Sequence, residues 1–289
     1  MIKRTISEIV RGQNAVDGAG VHLRRVLGLR TIKSFDPFLM LDGFDSLNPE
    51  DYIKGFPWHP HRGIETVTYL LQGKIEHSDS LGNKGFIGEE QCQWMTAGSG
   101  IIHQEMPQAS GRMLGCQLWV NLPKKNKLTS PAYHDIRPED IIRLEEKDVK
   151  IGILSGSYQG HKGAHEAEYL EVQYLDITLK PNSIWNYRET ANDKTLFLYL
   201  IDGTLAANAS LDEFEEKACA ILMKASSEDG NSFDEVIVKS GPQGARFFLI
   251  AAKPLLEPVA WGGPIVMNTK EELDQAFEEL NNNTFIKHS

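Results

Sequence analysis

The sequence predicts an all-β protein made of two tandem antiparallel barrels that ends in a C-terminal helix. Residues 65–72 are rich in β-branched and aromatic side chains, as strands are, and Gly73 follows them directly. The pair Asn83-Lys84, flanked by glycines, is typical of a turn between strands. Short strands joined by such turns indicate an antiparallel barrel or jelly roll.

The second half of the chain repeats this pattern in outline. Residues 196–203 form a strand-like run that ends at Gly203, as residues 67–73 end at Gly73. Three prolines between 123 and 138 mark a crossing between domains. The length of 289 residues allows two medium domains, and we predict barrels over residues 1–135 and 136–289.

The C-terminal residues predict a helix at about 269–282, within the second domain. Thr269 and Glu272 have the spacing of a capping box. Leu273, Ala276 and Leu280 follow at helical spacing and form one apolar face with Phe277. We expect this face to pack against a barrel.

The composition and charge limit the classes of partner. The chain is 41% hydrophobic and 24% charged, with a formal net charge of -10, which disfavours direct binding to nucleic acid or anionic membranes. No apolar run is long enough for a transmembrane helix. The three cysteines, Cys92, Cys116 and Cys219, lack the spacing of a disulfide framework. We therefore expect a cytoplasmic, monomeric protein with reduced thiols.

Two pairs of potential metal ligands stand out. His59 and His61 are two residues apart, and so are His103 and Glu105. Residues two apart on a strand point to the same face, so each pair can direct both side chains to one point. If the two strands are neighbours, the four donors suit a divalent transition metal and leave positions open for water or substrate. Without a metal, the same residues would be ordinary surface or core histidines.

The second barrel does not repeat this ligand set. Asn186 and Arg188 stand where the first barrel has His59 and His61. A cationic guanidinium cannot ligate a metal. We therefore expect one metal per chain, held by the first barrel, and no other cofactor.

The spacing of these residues resembles known motifs. His59-x-His61-x-x-x-Glu65 followed by Gly73 is similar to the first cupin motif, and Gly100-x-x-His103 is similar to the core of the second. The stretch PWHPHRGIETVTYLLQGKIEHSDSLGN and the carboxylate at position 105 resemble the pirin family. This resemblance runs from FDPFLMLDGF at residues 35–44 to GGPIVMNTKEEL near the C-terminus.

The resemblance implies a fold, a site and an activity. Pirins are bicupins, and their ligand set maps onto His59, His61, His103 and Glu105. Glu65 matches the cupin pattern but is not the metal carboxylate in pirins, so we expect it to support the ligands. The implied activity is that of a quercetin 2,3-dioxygenase with Fe(II), or another divalent metal, as cofactor and a flavonol and O2 as substrates. Glu105 would accept the proton of the flavonol 3-hydroxyl.

The sequence is also compatible with two other functions. Animal pirins are nuclear regulators that engage a transcription factor according to metal state, so a protein partner and a nuclear location are the alternative. The basic residues Arg24, Arg25, Arg30 and Lys33 are the surface to test, although a solvated strand face is their ordinary interpretation. A metal-dependent isomerase is the third function, because a cupin fold does not fix the reaction.

Overall fold

The computed structural model describes residues 3–188, 191–207, 211–224 and 234–288. The first twelve strands, in chain order, are β1 (Thr5–Arg11), β2 (Gln13–Asp17), β3 (Val21–Leu27), β4 (Phe38–Ser46), β5 (Phe56–His61), β6 (Ile64–Gln72), β7 (Ile75–Asp79), β8 (Lys84–Ile87), β9 (Cys92–Thr96), β10 (Ile101–Pro107), β11 (Met113–Asn121) and β12 (Ala132–Ile136). Those that follow are β13 (Ile142–Glu145), β14 (Val149–Ser155), β15 (Ser157–Tyr158), β16 (His161–Lys162), β17 (Val172–Leu179), β18 (Ile184–Tyr187), β19 (Thr195–Ala207), β20 (Glu215–Glu216), β21 (Cys219–Lys224), β22 (Val236–Ala252), β23 (Ala260–Gly262) and β24 (Ile265–Met267). The helices are α1 (Ile32–Phe35) and α2 (Lys270–Asn281), with 3-10 turns at Pro49–Asp51 and Lys124–Asn126.

The chain forms two compact units. The N-terminal segment belongs to the second unit and the C-terminal segment belongs to the first. The first barrel comprises residues 14–29, 38–138 and 255–289, and the second comprises residues 1–13, 30–37 and 139–254. The all-β architecture with a C-terminal helix is confirmed, but this division differs from the expected boundaries at 135 and 136. Strand β1 belongs to the second barrel because it pairs antiparallel with β21, and α2 belongs to the first barrel, where its Glu279 forms an ion pair with Arg62.

Two sheets make up most of the first barrel. Seven strands lie in the order β12-β9-β6-β11-β4-β3-β2, and four lie in the order β5-β10-β7-β8. Leu70 of the larger sheet and Ile75 of the smaller sheet belong to one buried apolar cluster. Side chains on the inner faces of the two sheets can therefore reach one shared interior.

The second barrel is built on a nine-stranded sheet whose main order is β1-β21-β19-β22-β17-β14-β13. Its interior is filled by an apolar cluster that includes large aromatic side chains. The rings of Tyr158 and Tyr187 stack with their centroids 6.0 Å apart, and the ring of Trp185 lies 5.6 Å from that of Tyr187.

The sequence pattern places Asn186 and Arg188 at positions that correspond to His59 and His61. In the structure, the side chains that face this core belong to the residue before each of them. On β18, Trp185 and Tyr187 are buried, whereas Asn186 and the following Arg188 are exposed. Because side chains alternate along a strand, the interior positions of β18 are held by the two aromatic residues. The guanidinium of Arg188 instead forms an ion pair with Glu235. The described part of the second barrel thus contains no group of potential metal ligands.

The C-terminal helix begins at the predicted capping box. The hydroxyl of Thr269 accepts a hydrogen bond from the backbone N–H of Glu272, whose carboxylate accepts one from the backbone of Thr269. Ala276 is buried, and Leu273 and Leu280 are partly buried against the cluster formed with Ile265, Met267 and Phe285. No helix in the described ranges is long and apolar enough to cross a membrane.

Candidate metal centre

The two strands that carry the predicted ligands are neighbours. Strands β5 and β10 pair antiparallel, with His59 opposite His103 and His61 opposite Ile101. Burial alternates along β10, so His103 and Glu105 both point into the barrel. This pairing brings the two predicted residue pairs to one wall of the first barrel.

Three imidazoles converge at this wall. The Nε2 atom of His59 lies 3.1 Å from that of His61 and 2.9 Å from that of His103. The three ligand atoms all lie within 4.8 Å of one another, and in the described part of the chain this is the only such group of three or more residues. His61 and His103 are buried, and His59 is half-buried.

The backbone fixes the tautomer of two of these rings. The Nδ1 atom of His59 lies 2.8 Å from the carbonyl oxygen of Pro57, and that of His61 lies 3.2 Å from the carbonyl oxygen of Pro264. A carbonyl only accepts, so each Nδ1 is assigned the proton and each Nε2 carries a lone pair. Two lone pairs 3.1 Å apart repel unless a cation lies between them. This donor set therefore fits a bound metal ion.

Burial favours the neutral form of His61 and His103. Desolvation lowers the pKa of His61 well below the usual imidazole range, and the nearby His59 adds to this effect. Desolvation and the three neighbouring histidines His61, His59 and His77 likewise lower the pKa of His103. Since only neutral imidazole ligates a metal, protons compete weakly for these nitrogens.

Glu105 is close to the imidazoles but is not part of their group. Its two carboxylate oxygens accept hydrogen bonds of 3.1 and 3.0 Å from the Nε2 of Gln117, and one accepts a 3.4 Å bond from the hydroxyl of Thr68. Gln117 and Thr68 lie on β11 and β6, so the carboxylate connects the four-stranded sheet to the seven-stranded sheet. The indole N–H of Trp119 donates to the Oε1 of Gln117 at 3.3 Å, which orients the amide.

A fourth imidazole, that of His77, lies beside the other three and was not predicted from the sequence. His77 pairs with Glu105 across β7 and β10, and its ring centroid lies 5.5 Å from that of His103. Its Nε2 lies 2.9 Å from the hydroxyl of Tyr133. Desolvation lowers the pKa of His77. The alternation Ile75, His77, Asp79 along a strand was the signal that could have placed this imidazole inside the barrel.

A cavity of about 600 Å³ opens at the imidazoles. His59, His61 and Glu105 line one side, and the aromatic walls include Phe44, Phe56, Trp119 and Trp261. The volume lies within the usual range for sites that bind small molecules. Trp261 comes from the C-terminal segment, which the sequence analysis had assigned to the other barrel.

Two further predictions can be compared with the structure. The carboxylate of buried Glu65 accepts a 2.8 Å hydrogen bond from Thr96 on the neighbouring strand β9. In the basic cluster, Arg25 forms ion pairs with Asp42 and Asp17, and Arg24 donates to Asn14. The guanidinium of Arg25 is therefore neutralised by two carboxylates, which weakens the expectation of a positive surface.

Comparison with known proteins agrees with this architecture. A profile described as Pirin matches residues 20–120, and one described as Pirin C-terminal cupin domain matches residues 174–286. The chain is 44% identical over 282 residues, 96% of each chain, to a Pseudomonas aeruginosa protein named putative quercetin 2,3-dioxygenase. It is 36% identical to human Pirin over 97% of this chain and 92% of that one. A crystal structure of quercetin 2,3-dioxygenase from Acinetobacter baumannii superimposes with a TM-score of 0.85 at 28% identity, covering 98% of both chains.

The fold and the site define a class of protein: two cupin barrels, the first of which brings three imidazoles together beside a cavity. The two matched profiles cover most of the chain and both describe one family. The chain belongs to the pirin family. The shared family supports a divalent metal at the three imidazoles.

Proposed function

We propose that this protein is a metal-dependent dioxygenase that cleaves quercetin or a related flavonol with O2. The observation that carries the proposal is the convergence of three Nε2 atoms within 4.8 Å at one wall of the first barrel. The lone pairs of His59 and His61 are directed toward each other by backbone carbonyls, which prepares the site for a cation. The name of the Pseudomonas aeruginosa relative supports the choice of reaction.

His59, His61 and His103 would hold the metal, and Glu105 would complete the set as a fourth ligand. We propose Fe(II), because imidazole and carboxylate donors with open positions are typical of non-haem iron oxygenases. Such a metal supplies a Lewis acid and a partner for O2. The remaining chemistry belongs to the side chains around it.

Glu105 is the proposed proton acceptor for the flavonol 3-hydroxyl. Its carboxylate is held between Gln117 and Thr68, so its oxygens are fixed at the edge of the cavity. A carboxylate in this position can take the hydroxyl proton as the substrate binds. The amide of Gln117, oriented by Trp119, keeps the carboxylate from turning away.

The aromatic walls are proposed to bind the flat rings of the flavonol. Trp119 and Trp261 lie side by side, with ring centroids 5.8 Å apart, and both line the cavity. Planar rings stack favourably on such surfaces. A bound flavonol would also displace water from the cavity and so protect the oxidised ring from side reactions.

An oxygen-uptake assay tests the proposal. Protein reconstituted with Fe(II) should consume O2 when quercetin is added and should convert quercetin only when O2 is present. The chelator-treated protein is the control and should do neither. Turnover without O2 would instead indicate an isomerase, and failure of the iron-loaded protein to convert any flavonol would contradict the dioxygenase proposal.

A regulatory role is the second candidate, and the identity to human Pirin over nearly the whole chain favours it. In that role the metal state would control binding of a protein partner without catalysis. Metal-dependent capture of a defined partner, with no flavonol turnover, would support it. Turnover of quercetin at a normal enzymatic rate would argue against it.

We also propose that the protein is a cytoplasmic monomer. Its three cysteines are buried and form no disulfide, which fits a reducing compartment. Sedimentation of the purified protein tests the monomer, and fractionation of host cells tests the location. A stable dimer or recovery outside the cytoplasm would contradict the respective proposal.

A further inference from the structure

A row of polar side chains crosses the seven-stranded sheet along the wall of the cavity. Arg25 on β3 pairs with Asp42 on β4, and Asp42 pairs with Gln117 on β11. Paired residues lie side by side on the same face of a sheet. Neighbouring strands are about 4.8 Å apart, so Arg25 lies roughly 10 Å from Gln117, the residue that holds Glu105. The row therefore links the imidazole end of the cavity to a second polar position.

Three charged side chains form this second position, and all three line the cavity. The Nε of Arg25 donates to Asp42 Oδ1 at 3.0 Å, and its Nη2 donates to Asp42 Oδ2 and Asp17 Oδ2 at 2.7 Å each. The side chain of Asp42 is only 5% exposed, whereas those of Arg25 and Asp17 are 36% and 49% exposed. Buried Asp42 thus fixes Arg25, and Arg25 with Asp17 presents polar atoms to a ligand.

The turn after Asp17 packs against the strand that carries the histidines. The backbone N–H of Ala19 donates to the carbonyl of Gly55 at 2.9 Å, just before β5. Gly18 has a φ of 58°, and a Cβ there would lie 2.5 Å from the same carbonyl oxygen and 2.6 Å from the Phe56 ring. Only glycine permits this close approach. The packing holds Asp17 at the cavity wall beside β5.

The charges of this position select the kind of group it can bind. Two carboxylates surround one guanidinium, so the position carries a net negative charge and disfavours an anion. Asp17 accepts one bond at each oxygen, from Gly18 N–H and from Arg25, which leaves one acceptor site on each oxygen. Within the described residues, Nη1 of Arg25 has no hydrogen-bond partner. A hydroxyl, which both donates and accepts, satisfies Asp17 and Arg25 together.

We propose that Asp17 and Arg25 form a binding subsite for the hydroxyl groups on the distal ring of an aromatic substrate. The other end of that substrate lies at His59, His61 and His103. The inference rests on the proposed function and adds the residues that determine substrate preference. The preferred ligand is therefore a polyphenol with hydroxyl groups on both of its ring systems.

Binding measured under argon tests this inference separately from turnover. The probes are quercetin, with two hydroxyls on its distal ring, and galangin, the flavonol that lacks them. The iron-loaded protein should bind quercetin about ten- to a hundred-fold more tightly than galangin, the range for a hydrogen bond to a charged group. Asp17→Asn should remove most of this preference and leave the affinity for galangin within about two-fold.

Two matched control variants distinguish loss of the subsite from a nonspecific effect of changing a charged residue. Asp45 is also an aspartate paired with an arginine, Arg112, but it does not line the cavity, so Asp45→Asn should keep the preference. Arg25→Lys cannot form the same forked pair and should lose the preference, whereas the neighbouring Arg24→Lys should keep it. The melting temperature of each variant shows that it is folded.

The outcomes distinguish this inference from the proposed function. Equal affinity of the wild-type protein for both flavonols, or equal weakening of both by Asp17→Asn, would overturn the subsite alone. Selective binding without O2-dependent turnover would support the subsite and overturn the dioxygenase. If neither flavonol binds, both proposals fail.

Discussion

The Nε2 atoms of His59 and His61 lie 3.1 Å apart, while each ring directs its Nδ1 to a backbone carbonyl. The carbonyls belong to Pro57 and Pro264, so one imidazole is held by its own strand and the other by the C-terminal segment. This arrangement directs the Nε2 lone pairs of His59 and His61 toward the same point. It explains why the C-terminal segment belongs to the first barrel: it supplies a contact to a proposed metal ligand.

The first prediction concerns the number of metals. We expect about one metal ion per chain, because one group of converging ligands is found and Trp185 and Tyr187 fill the corresponding positions of the second barrel. Metal analysis of the protein purified from its own host measures this ratio. His103→Ala should lower it to near zero, and Asn186→Ala should not change it. Two tightly held metals per chain would contradict this account.

The second prediction concerns removal of the metal. Without a cation, the lone pairs of His59 and His61 repel, so metal binding should stabilise the fold by a few kcal/mol at saturating metal. Treatment with a chelator should therefore lower the melting temperature, while the apolar cores keep the protein folded. The His103→Ala variant is the control and should show no metal-dependent shift. An unchanged melting temperature in the wild-type protein would argue against a tight site.

The third prediction separates metal binding from catalysis. Glu105→Gln keeps the shape and an oxygen donor but removes the charge, so the variant should retain metal and lose about 10²- to 10⁴-fold in turnover. Glu76→Gln is the matched control. Glu76 lies on the adjacent strand β7, pairs with Lys84, and should leave turnover unchanged. Full turnover by Glu105→Gln would remove the proposed role of this carboxylate.

The fourth prediction concerns the buried ammonium of Lys127. Its Nζ donates to the carbonyl of Gly63 at 2.7 Å, to Asn121 at 2.5 Å and to the carbonyl of Val266 at 2.9 Å, and so links the turn after His61 to the C-terminal segment. Burial nevertheless lowers the pKa of Lys127 to about 7.

The sign of the resulting pH dependence follows from proton binding. Above pH 7 the unfolded chain holds more protons at this lysine than the folded chain does, so the free energy of unfolding should rise with pH toward the unfolded pKa. The rise is at most about 1.4 kcal/mol per pH unit. Chemical denaturation at pH 7 to 9.5, with Lys127→Met as reference and exposed Lys125→Met as control, measures it. A constant difference between wild type and Lys127→Met would show that the three hydrogen bonds keep the ammonium charged.

The convergence of three histidines could be predicted from the sequence, whereas the division of the chain into two units differs from the one expected. His59, His61 and His103 could be found because strand alternation with two-residue spacing is a local property, and the pairing of β5 with β10 brings them together. The exchange of terminal segments depends on which sheet edge each segment pairs with. No local pattern in Thr5–Arg11 or in α2 specifies that partner.

The errors in the second barrel and at the site have a similar cause. The sequence pattern predicted Asn186 and Arg188 at the positions of His59 and His61, but a shift of one residue exchanges the two faces of a strand, so Trp185 and Tyr187 face the core instead. Gln117 was missed because a single polar residue in an apolar strand carries no motif, and His77 was missed because its alternation with Ile75 and Asp79 does not show which imidazoles it faces. Their roles follow from contacts between strands distant in sequence.

The most direct test of the central claim is a stepwise reconstitution. Chelator-treated protein is loaded with increasing amounts of Fe(II) under argon, and O2 uptake with quercetin is measured at each bound metal content. We expect uptake to rise in proportion to bound iron and to level off at about one ion per chain, because one ligand group is found in the described residues. Full oxygen uptake by the metal-free protein, or none at one bound iron per chain, would contradict it.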